Sequence, residues 1–378
     1  MRRRRRPRPH VALIVESSIS YGRGVLRGIA RYLRERGPWS IFLEQRELGA
    51  ALPAWIRGWD GDGIVTRSHD PRILRARVPT VGLYDDVEDP LGLPMILNDN
   101  LGVGRLAARH FLDRGFRHLA YYGDRRAWWS RLRLRAAEET ARSARATFAA
   151  HFSGGIWEVQ QERLKRWILD LPRPVGLVAA NDIHGLQALD ACRRGGRAVP
   201  EEVAVIGADD DAELCELSDP PLSSVAFNPE HVGYEAAALL DRMMKGARPP
   251  RRPVLVPPLA AVTRQSSDIL AIADPYVARA LHFIRRNACD GINVRSVLEE
   301  VPLSRRALEH RFRKFLGRTP KEEIRRLQVD RIRELLSGTD LSVARISDQL
   351  GFHQPAYLSA VFRKATGRTP AQFRRESR

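Results

Sequence analysis

The sequence is poor in features that would mark several classes of protein. It has three cysteines, Cys192, Cys215 and Cys289, which lie far apart and form no Cys-x-x-Cys pair. This count argues against a disulfide framework and against a zinc finger, and it favours reduced, buried thiols in the cytoplasm. No apolar run approaches the ~18 residues of a membrane-spanning helix, so no membrane segment is expected.

Catalytic motifs are also missing. The sequence contains no Gly-x-Ser-x-Gly elbow, no phosphate-binding P-loop and no His-Glu-x-x-His pair. The pair Gly22 and Gly24 resembles the start of a dinucleotide-binding pattern, but Arg27 stands where the third glycine is needed. We therefore expect a binding protein rather than an enzyme, with no cofactor, no metal and no catalytic residues.

Charge is distributed very unevenly along the chain. The formal net charge is +18, of which residues 1–9 carry +6, residues 10–264 carry +3 and residues 265–378 carry +9. A basic last third beside a nearly neutral middle suggests a polyanionic partner for one domain alone. A genome that prefers arginine would also raise the total. Residues 1–9 are expected to be a basic, disordered tail.

From residue 10 the pattern alternates strands with helices. Residues 11–15 are an unbroken aliphatic run, typical of a parallel strand that is buried on both faces, and helical spacing follows over residues 22–36. Further strands are predicted at residues 40–44, 63–66, 80–83, 118–122, 175–179 and 203–207. This order implies doubly wound parallel sheets, and about 250 residues imply two lobes. We place this domain at 10–263 and a linker at 264–274.

The basic last third, residues 275–378, contains an internal repeat and no credible strand. Arg311-Phe-Arg-Lys-Phe-Leu-Gly-Arg-Thr-Pro320 recurs as Val361-Phe-Arg-Lys-Ala-Thr-Gly-Arg-Thr-Pro370, with seven of ten positions identical. Each copy follows a short amphipathic stretch and a turn, which is the plan of a helix-turn-helix. The two units are predicted at about 294–316 and 343–366, joined by a helix over 321–337. An all-helical interaction domain with a basic face is the alternative.

Residues near the start of the second helix of each unit are the candidates for DNA contact, because this part of a recognition helix reaches base edges in the major groove. Arginine and glutamine suit guanine and adenine, whereas Arg311, Arg313, Lys314 and Lys364 suit phosphates. The candidate DNA contacts are Ser304, Arg305, Arg306, Glu309 and Arg313 in the first unit, and His353, Gln354, Ala356, Tyr357, Ser359 and Arg363 in the second. Two such helices would read successive major-groove segments about one duplex turn apart.

The segment from Leu341 to Arg375, with its Gly-Phe turn and its Gly-Arg-Thr-Pro motif, resembles the signature of the AraC/XylS family of transcription regulators. The resemblance covers about residues 275–378. The first copy departs from the family pattern at Pro302, in its turn.

Residues 10–262 resemble the sugar-binding core of LacI/GalR-type regulators and periplasmic sugar-binding proteins. The resemblance rests on Leu97-Asn-Asp-Asn-Leu-Gly-Val-Gly104, Val178-Ala-Ala-Asn-Asp182, Pro200-Glu-Glu-Val-Ala-Val-Ile-Gly-Ala-Asp-Asp210 and Pro221-Leu-Ser-Ser-Val225, in the family's order. It implies ligand residues at the strand ends, where open α/β sheets bind ligands. These are Asp99, Arg133, Asn181 and Asp209, with Asp182 or Asp210 as substitutes, Tyr21 and Trp128 or Trp129 as stacking residues, and Glu44 nearby. Asp99 and Asn181 could instead be simple helix N-caps, and Arg131 and Arg135 compete with Arg133.

The order of a LacI-like sensor followed by an AraC-like reader resembles the XylR-type regulators of xylose operons. That resemblance implies a sugar-responsive regulator that activates pentose catabolism genes. The expected partners are an operator in double-stranded DNA, a pentose such as xylose, a second copy of the chain and, for an activator, RNA polymerase. The alternative is a ligand-independent DNA-binding protein whose first domain serves dimerisation.

Overall fold

The computed structural model describes residues 8–45, 47, 50–87, 91–269, 271, 274–352 and 354–376. Residues 1–7 of the predicted tail and the candidate DNA contact His353 lie outside the described residues. The strands are β1 (His10–Ile14), β2 (Ser40–Leu43), β3 (Gly63–Thr66), β4 (Thr80–Gly82), β5 (Ile96–Asn98), β6 (His118–Asp124), β7 (Thr147–Ser153), β8 (Val175–Ala179), β9 (Val203–Asp209), β10 (Ser223–Ala226), β11 (Val254–Val256) and β12 (Ala261–Val262).

The α-helices follow the predicted alternation and then fill the last third of the chain. They are α1 (Ser20–Arg36), α2 (Asn100–Leu112), α3 (Trp128–Ser143), α4 (Trp157–Asp170), α5 (Asp182–Arg194), α6 (Ala212–Leu217), α7 (Pro229–Met244), α8 (Pro275–Asn287), α9 (Val294–Glu299), α10 (Arg305–Leu316), α11 (Pro320–Gly338), α12 (Val343–Gln349), α13 (Pro355–Thr366) and α14 (Pro370–Glu376). Short 3-10 turns occur at Ala54–Gly58, Pro71–Ala76 and Gln265–Ser267.

Two parallel sheets form the two lobes of the first domain. The sheet of lobe one has the order β2-β1-β3-β4, and β5 pairs in parallel with β11 beside it. The sheet of lobe two has the order β12-β10-β9-β8-β6-β7, with β12 as its antiparallel member. The fold class predicted from the sequence, a two-lobed α/β domain followed by a helical helix-turn-helix domain, is confirmed.

The chain crosses between the lobes three times, and these crossings form the hinge. It leaves lobe one after β5, returns after β10 to place α7 in lobe one, and leaves again after β11. In lobe one α7 lies against α1 at glycine positions, since a Cβ built at Gly28 would lie 1.9 Å from the carbonyl oxygen of Glu230. The carboxyl ends of the strands of both lobes therefore face the same cleft.

The helical domain is built from two units that share one long helix. A core around Leu308 and Phe312 includes Ile324 from the first half of α11, whereas a core around Leu358 and Phe362 takes residues from its second half. The helix-turn-helix pairs are α9 with α10 and α12 with α13. The repeat therefore corresponds to two similar units held side by side by α11.

The repeated Gly-Arg-Thr-Pro motif ends one helix and starts the next. Gly317 and Gly367 have left-handed φ angles of 70° and 74° after α10 and α13, a conformation that costs glycine little. Thr319 Oγ1 accepts a hydrogen bond from the backbone N–H of Glu322, and the backbone N–H of Thr319 donates to the Glu322 carboxylate. The following proline occupies the first turn of α11. Sharp turns at both copies set the angle between the recognition helix and the next helix.

The first part of the predicted linker packs against lobe two. Ser266 and Ser267 are fully buried, and Ser266 Oγ accepts from the backbone N–H of Ser223 (2.8 Å) and donates to the carbonyl of Val205 (2.7 Å). The proposed domain boundaries of 10–263 and 275–378 therefore enclose a connector that is firmly attached at its sensor end.

Candidate ligand cavity and nucleic-acid interface

A cavity of about 530 Å³ lies between the two lobes at the carboxyl ends of their strands. This volume is within the usual range for small-molecule sites. Five residues predicted for ligand binding from the sequence meet there: Tyr21, Trp129, Arg133, Asn181 and Asp209. The lining also includes Glu16, Arg67, Asp85, Asp86, Asn98 and Phe227.

Arg133 is the most constrained charge in the cavity. Arg133 is 4% exposed, and its guanidinium lies 4.6 Å from the ring centre of Trp129 and 4.9 Å from that of Phe227. Its Nε donates to Asn100 Oδ1 (2.9 Å) and its Nη1 donates to the carbonyl of Ala180 (2.5 Å). Two aromatic faces and two acceptors thus fix the guanidinium plane, as a bidentate donor to a ligand requires.

A second cation faces Arg133 from lobe one. Arg67 donates from Nη1 to the carboxylate of Glu16, and its guanidinium lies 4.8 Å from the ring centre of Tyr21. Within the described part of the chain, its buried Nε has no hydrogen-bond partner. The Tyr21 hydroxyl accepts from Asn98 Nδ2 (2.9 Å), and burial raises the pKa of this phenol. Arg67 thus places a second guanidinium in the lining of the cavity.

Asp209 sits at a strained end of β9. It has a φ of 117° and its neighbour Asp210 has a φ of 53°, both rare for residues with a side chain. Burial raises the pKa of Asp209, an effect that the nearby Asp182 increases and that Arg133, 3.9 Å away, opposes. The strained turn thus aims a carboxyl group with an unusual proton affinity at the cavity, a combination typical of binding sites.

Three other predicted ligand residues lie elsewhere. Asp99 caps α2 by accepting from the N–H of Gly102 (2.8 Å), so the N-cap alternative describes what it does here. Glu44 accepts from the indole N–H of Trp55 (2.9 Å) away from the cavity lining. Asp182 is 1% exposed and accepts from Ser224 Oγ and from the N–H of Asp211, holding the loop after β9 in place. Burial raises the pKa of this carboxyl as well.

Direct bonds join the two lobes at both sides of the cavity. The N–H groups of Trp128 and Trp129 in the first turn of α3 donate to the carbonyls of Asp86 and Asp85 in lobe one, each at 3.0 Å. On the other side Ser20 Oγ donates to Asp211 (2.6 Å). Because α3 has no side-chain N-cap, backbone groups of the opposite lobe take that role.

The recognition helices α10 and α13 present several exposed polar residues. Arg305, Arg306, Arg313, Gln354, Ala356, Tyr357 and Arg363 are exposed, and Glu309 and Ser359 are half-buried. Their opposite faces bury Leu308 and Phe312 in one helix and Leu358 and Phe362 in the other. Most of the candidate DNA contacts that the structure describes are therefore exposed, on the side of each helix away from its buried residues.

Some of these side chains already have partners. Arg305 binds Glu309 (3.0 Å), Ser304 caps α10 through the N–H of Ala307 (3.2 Å), and the Tyr357 hydroxyl accepts from Arg325 (2.7 Å). Arg311, which the sequence suggested for phosphate contact, donates to Asp274 (2.8 Å) and anchors the start of α8. Arg313 and Lys364 are exposed and remain the better phosphate candidates.

The carboxylate of Asp113, at the end of α2, joins lobe two to the helical domain, and Arg117 of lobe two also donates to the carbonyl of Phe315. Asp113 pairs with Arg318 (2.9 Å) and Arg326 (2.7 Å), and its carbonyl accepts from Arg285 (2.7 Å). We call these residues the Asp113 junction. Beside it lies a crevice of about 2180 Å³, which has Asp99 and Lys364 among its lining residues. The first domain and the helical domain are thus in contact. A movement of α2 would change the ion pairs that Asp113 makes with Arg318 and Arg326 at the start of α11.

Within the described residues, no group of three or more histidine, cysteine or acidic side chains could hold a metal ion. Nor does that part of the chain have a helix with the length and hydrophobicity needed to cross a membrane.

Similarity to known protein domains covers both halves of the chain. A periplasmic binding protein-like domain matches residues 108–267, and a helix-turn-helix domain matches residues 297–376. The xylose operon regulatory protein of Escherichia coli strain K12 is 32% identical over 383 residues, with 97% of each chain covered. The protein of the same description from Haemophilus influenzae is 30% identical, with 96% of this chain and 97% of that protein covered.

Solved structures give the same picture. The structure of the xylose-binding transcription activator XylR matches with a TM-score of 0.63 at 30% identity, covering 97% of this chain and 98% of that chain. The complex of the transcriptional regulator CelR with cellobiose matches with a TM-score of 0.57 at 28% identity, covering 68% of this chain and 84% of that chain. The share of the chain that the second match covers is about the size of the first domain, residues 10–263.

Proposed function

This chain belongs to the family of the xylose operon regulatory proteins and is a sugar-responsive, DNA-binding transcription regulator; we propose that its effector is D-xylose or another pentose. We further propose that it activates genes of pentose breakdown, that it acts on operator DNA in the cytoplasm, and that RNA polymerase is its partner there. Nothing favours the alternative of a sensor domain that serves dimerisation alone.

The observation that carries the proposal for the effector is the chemistry of the cavity. Arg133 and Arg67 supply donors, Asp209, Asp85 and Asp86 supply acceptors, and Trp129 supplies an apolar face. Vicinal hydroxyl groups use such donors and acceptors in pairs, and a sugar ring packs on an aromatic face. Acidic groups outnumber basic ones in the lining, which disfavours an anionic sugar.

Closure of the lobes is the proposed switch. A ligand can shift a closing equilibrium only by binding one state more tightly than the other. A pentose that touches Arg133 of lobe two and Arg67 of lobe one does so, because its full set of bonds exists only when both lobes are present. The bonds that Trp128, Trp129 and Ser20 make across the cleft belong to the closed arrangement, so a sugar that bridges the lobes would stabilise them as well.

We expect D-xylose to raise the melting temperature of the full-length protein by about 5–10 °C at a concentration 100 times its dissociation constant. Binding to the folded state at that concentration adds about 2.7 kcal/mol to the free energy of unfolding. For a domain of about 250 residues, each kcal/mol raises the melting temperature by about 2–4 °C. All seven tryptophans lie between residues 39 and 167, so tryptophan fluorescence reports on the sensor. A screen of pentoses and hexoses in which none raises the melting temperature would refute the sugar proposal.

Base reading by the recognition helices gives a separate expectation. Arg306→Ala and Gln354→Ala should each weaken binding to a duplex selected by the protein from a random library by about 10–100-fold, the usual worth of a base contact. Binding to an unrelated duplex should change much less. Lys364→Ala is the matched phosphate-contact control. It should weaken binding to both duplexes equally and reduce the number of ions released on binding, given by the salt dependence, by about one. Gel-shift titrations at two salt concentrations measure both, and equal losses on both duplexes for Arg306→Ala would contradict base reading.

We also propose that the protein is a homodimer. Strand β2 lies at the edge of the first sheet with all four residues exposed, including Ile41, Phe42 and Leu43. An exposed apolar edge strand is a surface that proteins normally cover. Two copies on direct-repeat half-sites would present four recognition helices. A mass of twice the 42.7 kDa chain, measured by light scattering, would support the dimer, and a mass of one chain would contradict it.

A further inference from the structure

The Asn181 side chain has a single orientation available to it in this fold. It follows β8 and caps α5, where its Oδ1 accepts from the N–H of His184 at 3.0 Å. The same Oδ1 also accepts from the ring of His184, whose Nδ1 lies 2.6 Å away. Because a carboxamide oxygen has two lone pairs, both are occupied by one residue. The amide Nδ2 must therefore point away from α5, and Asn181 lines the cavity.

From this geometry we propose that His184 is a positioning residue, which locks the amide of Asn181 so that Nδ2 donates to a hydroxyl oxygen of the bound sugar. The inference rests on the proposed function of the cavity. His184 is not among the cavity's lining residues, so it acts on the ligand through Asn181.

The surroundings of His184 hold it in the protonation state that this role needs. Since Asn181 Oδ1 can only accept, the ring proton is on Nδ1, and Nε2 is left to accept from Ser153 Oγ at 3.2 Å. Burial lowers the pKa of His184 to about 4, with Asp124 opposing and Arg133 adding to this effect. The ring of Tyr122 packs edge-on against the imidazole at 5.1 Å between ring centres. The neutral tautomer with Nδ1 protonated is therefore the form present near neutral pH.

The test is a double-mutant cycle on the full-length protein with D-xylose as the probe, read by isothermal titration calorimetry. His184→Leu removes the ring donor and leaves the backbone cap in place, and it should weaken sugar binding about 10-fold, the worth of one well-placed hydrogen bond. His184→Asn places an amide nitrogen where Nδ1 was, and it should restore affinity to within about threefold of the parent. In an Asn181→Ala background, His184→Leu should have no further effect.

Each outcome separates positioning from packing. The inference would be overturned if His184→Leu reduced sugar affinity by the same factor with and without Asn181. It would also be overturned if His184→Asn failed to restore affinity while its melting temperature equalled that of the parent. Unchanged affinity in His184→Leu would also overturn it, and leave the sugar proposal intact. A parent protein that binds no pentose or hexose would instead count against the proposed function first, and against the inference with it.

Discussion

Replacing Arg133 by leucine should reduce sugar affinity by more than 100-fold. The guanidinium is enclosed by Trp129 and Phe227 and satisfies Asn100 Oδ1 and the carbonyl of Ala180. Removing it deprives the ligand of a charged donor and leaves two buried acceptors unpaired. Bonds to charged groups contribute about 1.5–3 kcal/mol each, so losing one pair of them alone accounts for this factor. Titration calorimetry with D-xylose measures the effect directly.

Two further variants make this expectation specific. Arg133→Lys keeps the charge but lacks the planar fork, so we expect most of the affinity to be lost. Arg135→Leu, on the same helix, removes an exposed arginine that pairs with Glu139 and should leave sugar binding unchanged. The melting temperature of each unliganded variant shows whether it is folded. If folded Arg133→Leu still bound sugar within tenfold of the parent, Arg133 would not be the principal donor.

The elements that the sequence predicted well are those whose pattern arises from burial. Strands β1, β3, β8 and β9 are continuous aliphatic runs and were predicted to within two residues. Strand β10, in contrast, is fully buried but starts with Ser223 and Ser224. These hydroxyls bond the carbonyl of Arg264 and the carboxylate of Asp182, which come from elsewhere in the chain. A buried strand whose polar groups are satisfied by distant partners has no recognisable hydrophobic run.

The same distinction applies to the cavity. The resemblance to LacI/GalR-type regulators implied Asn181 and Asp209, which follow predicted parallel strands, and Arg67 also directly follows a strand, β3. That signal was available and was missed. Phe227 could not be predicted, because it follows β10, whose serines hide it from a search for hydrophobic runs. The partners of Arg133 could not be found either, since Asn100 and Ala180 lie 33 and 47 residues away along the chain. The predicted ligand residues themselves remain predictions until binding is measured.

The carboxylate of Glu323 connects the sensor to the reader. It is fully buried in α11 and accepts from Arg318 and from Arg326 (2.9 Å), the two arginines that also bind Asp113 of lobe two. Burial alone would raise the pKa of Glu323, but its bonds to Arg326 and Arg318 outweigh burial and lower it. The stabilisation is therefore present above the usual glutamate pKa of about 4.3 and is lost as the pH falls below it.

Glu323→Gln should lower the free energy of unfolding of the helical domain by about 3–5 kcal/mol, because two partly buried arginines lose the fully buried one of the two carboxylates that they share. Since the tryptophans all lie in the sensor, urea unfolding followed by circular dichroism should show a helical transition that moves to lower urea. The tryptophan fluorescence transition of the sensor should move far less. Glu334→Gln, on the same helix with an exposed partner in Arg331, should cost under about 0.5 kcal/mol. Equal, small shifts for both variants would mean that Glu323 does not stabilise the Asp113 junction. A large shift confined to circular dichroism would instead show that the Glu323 carboxylate stabilises the helical domain through Arg318 and Arg326.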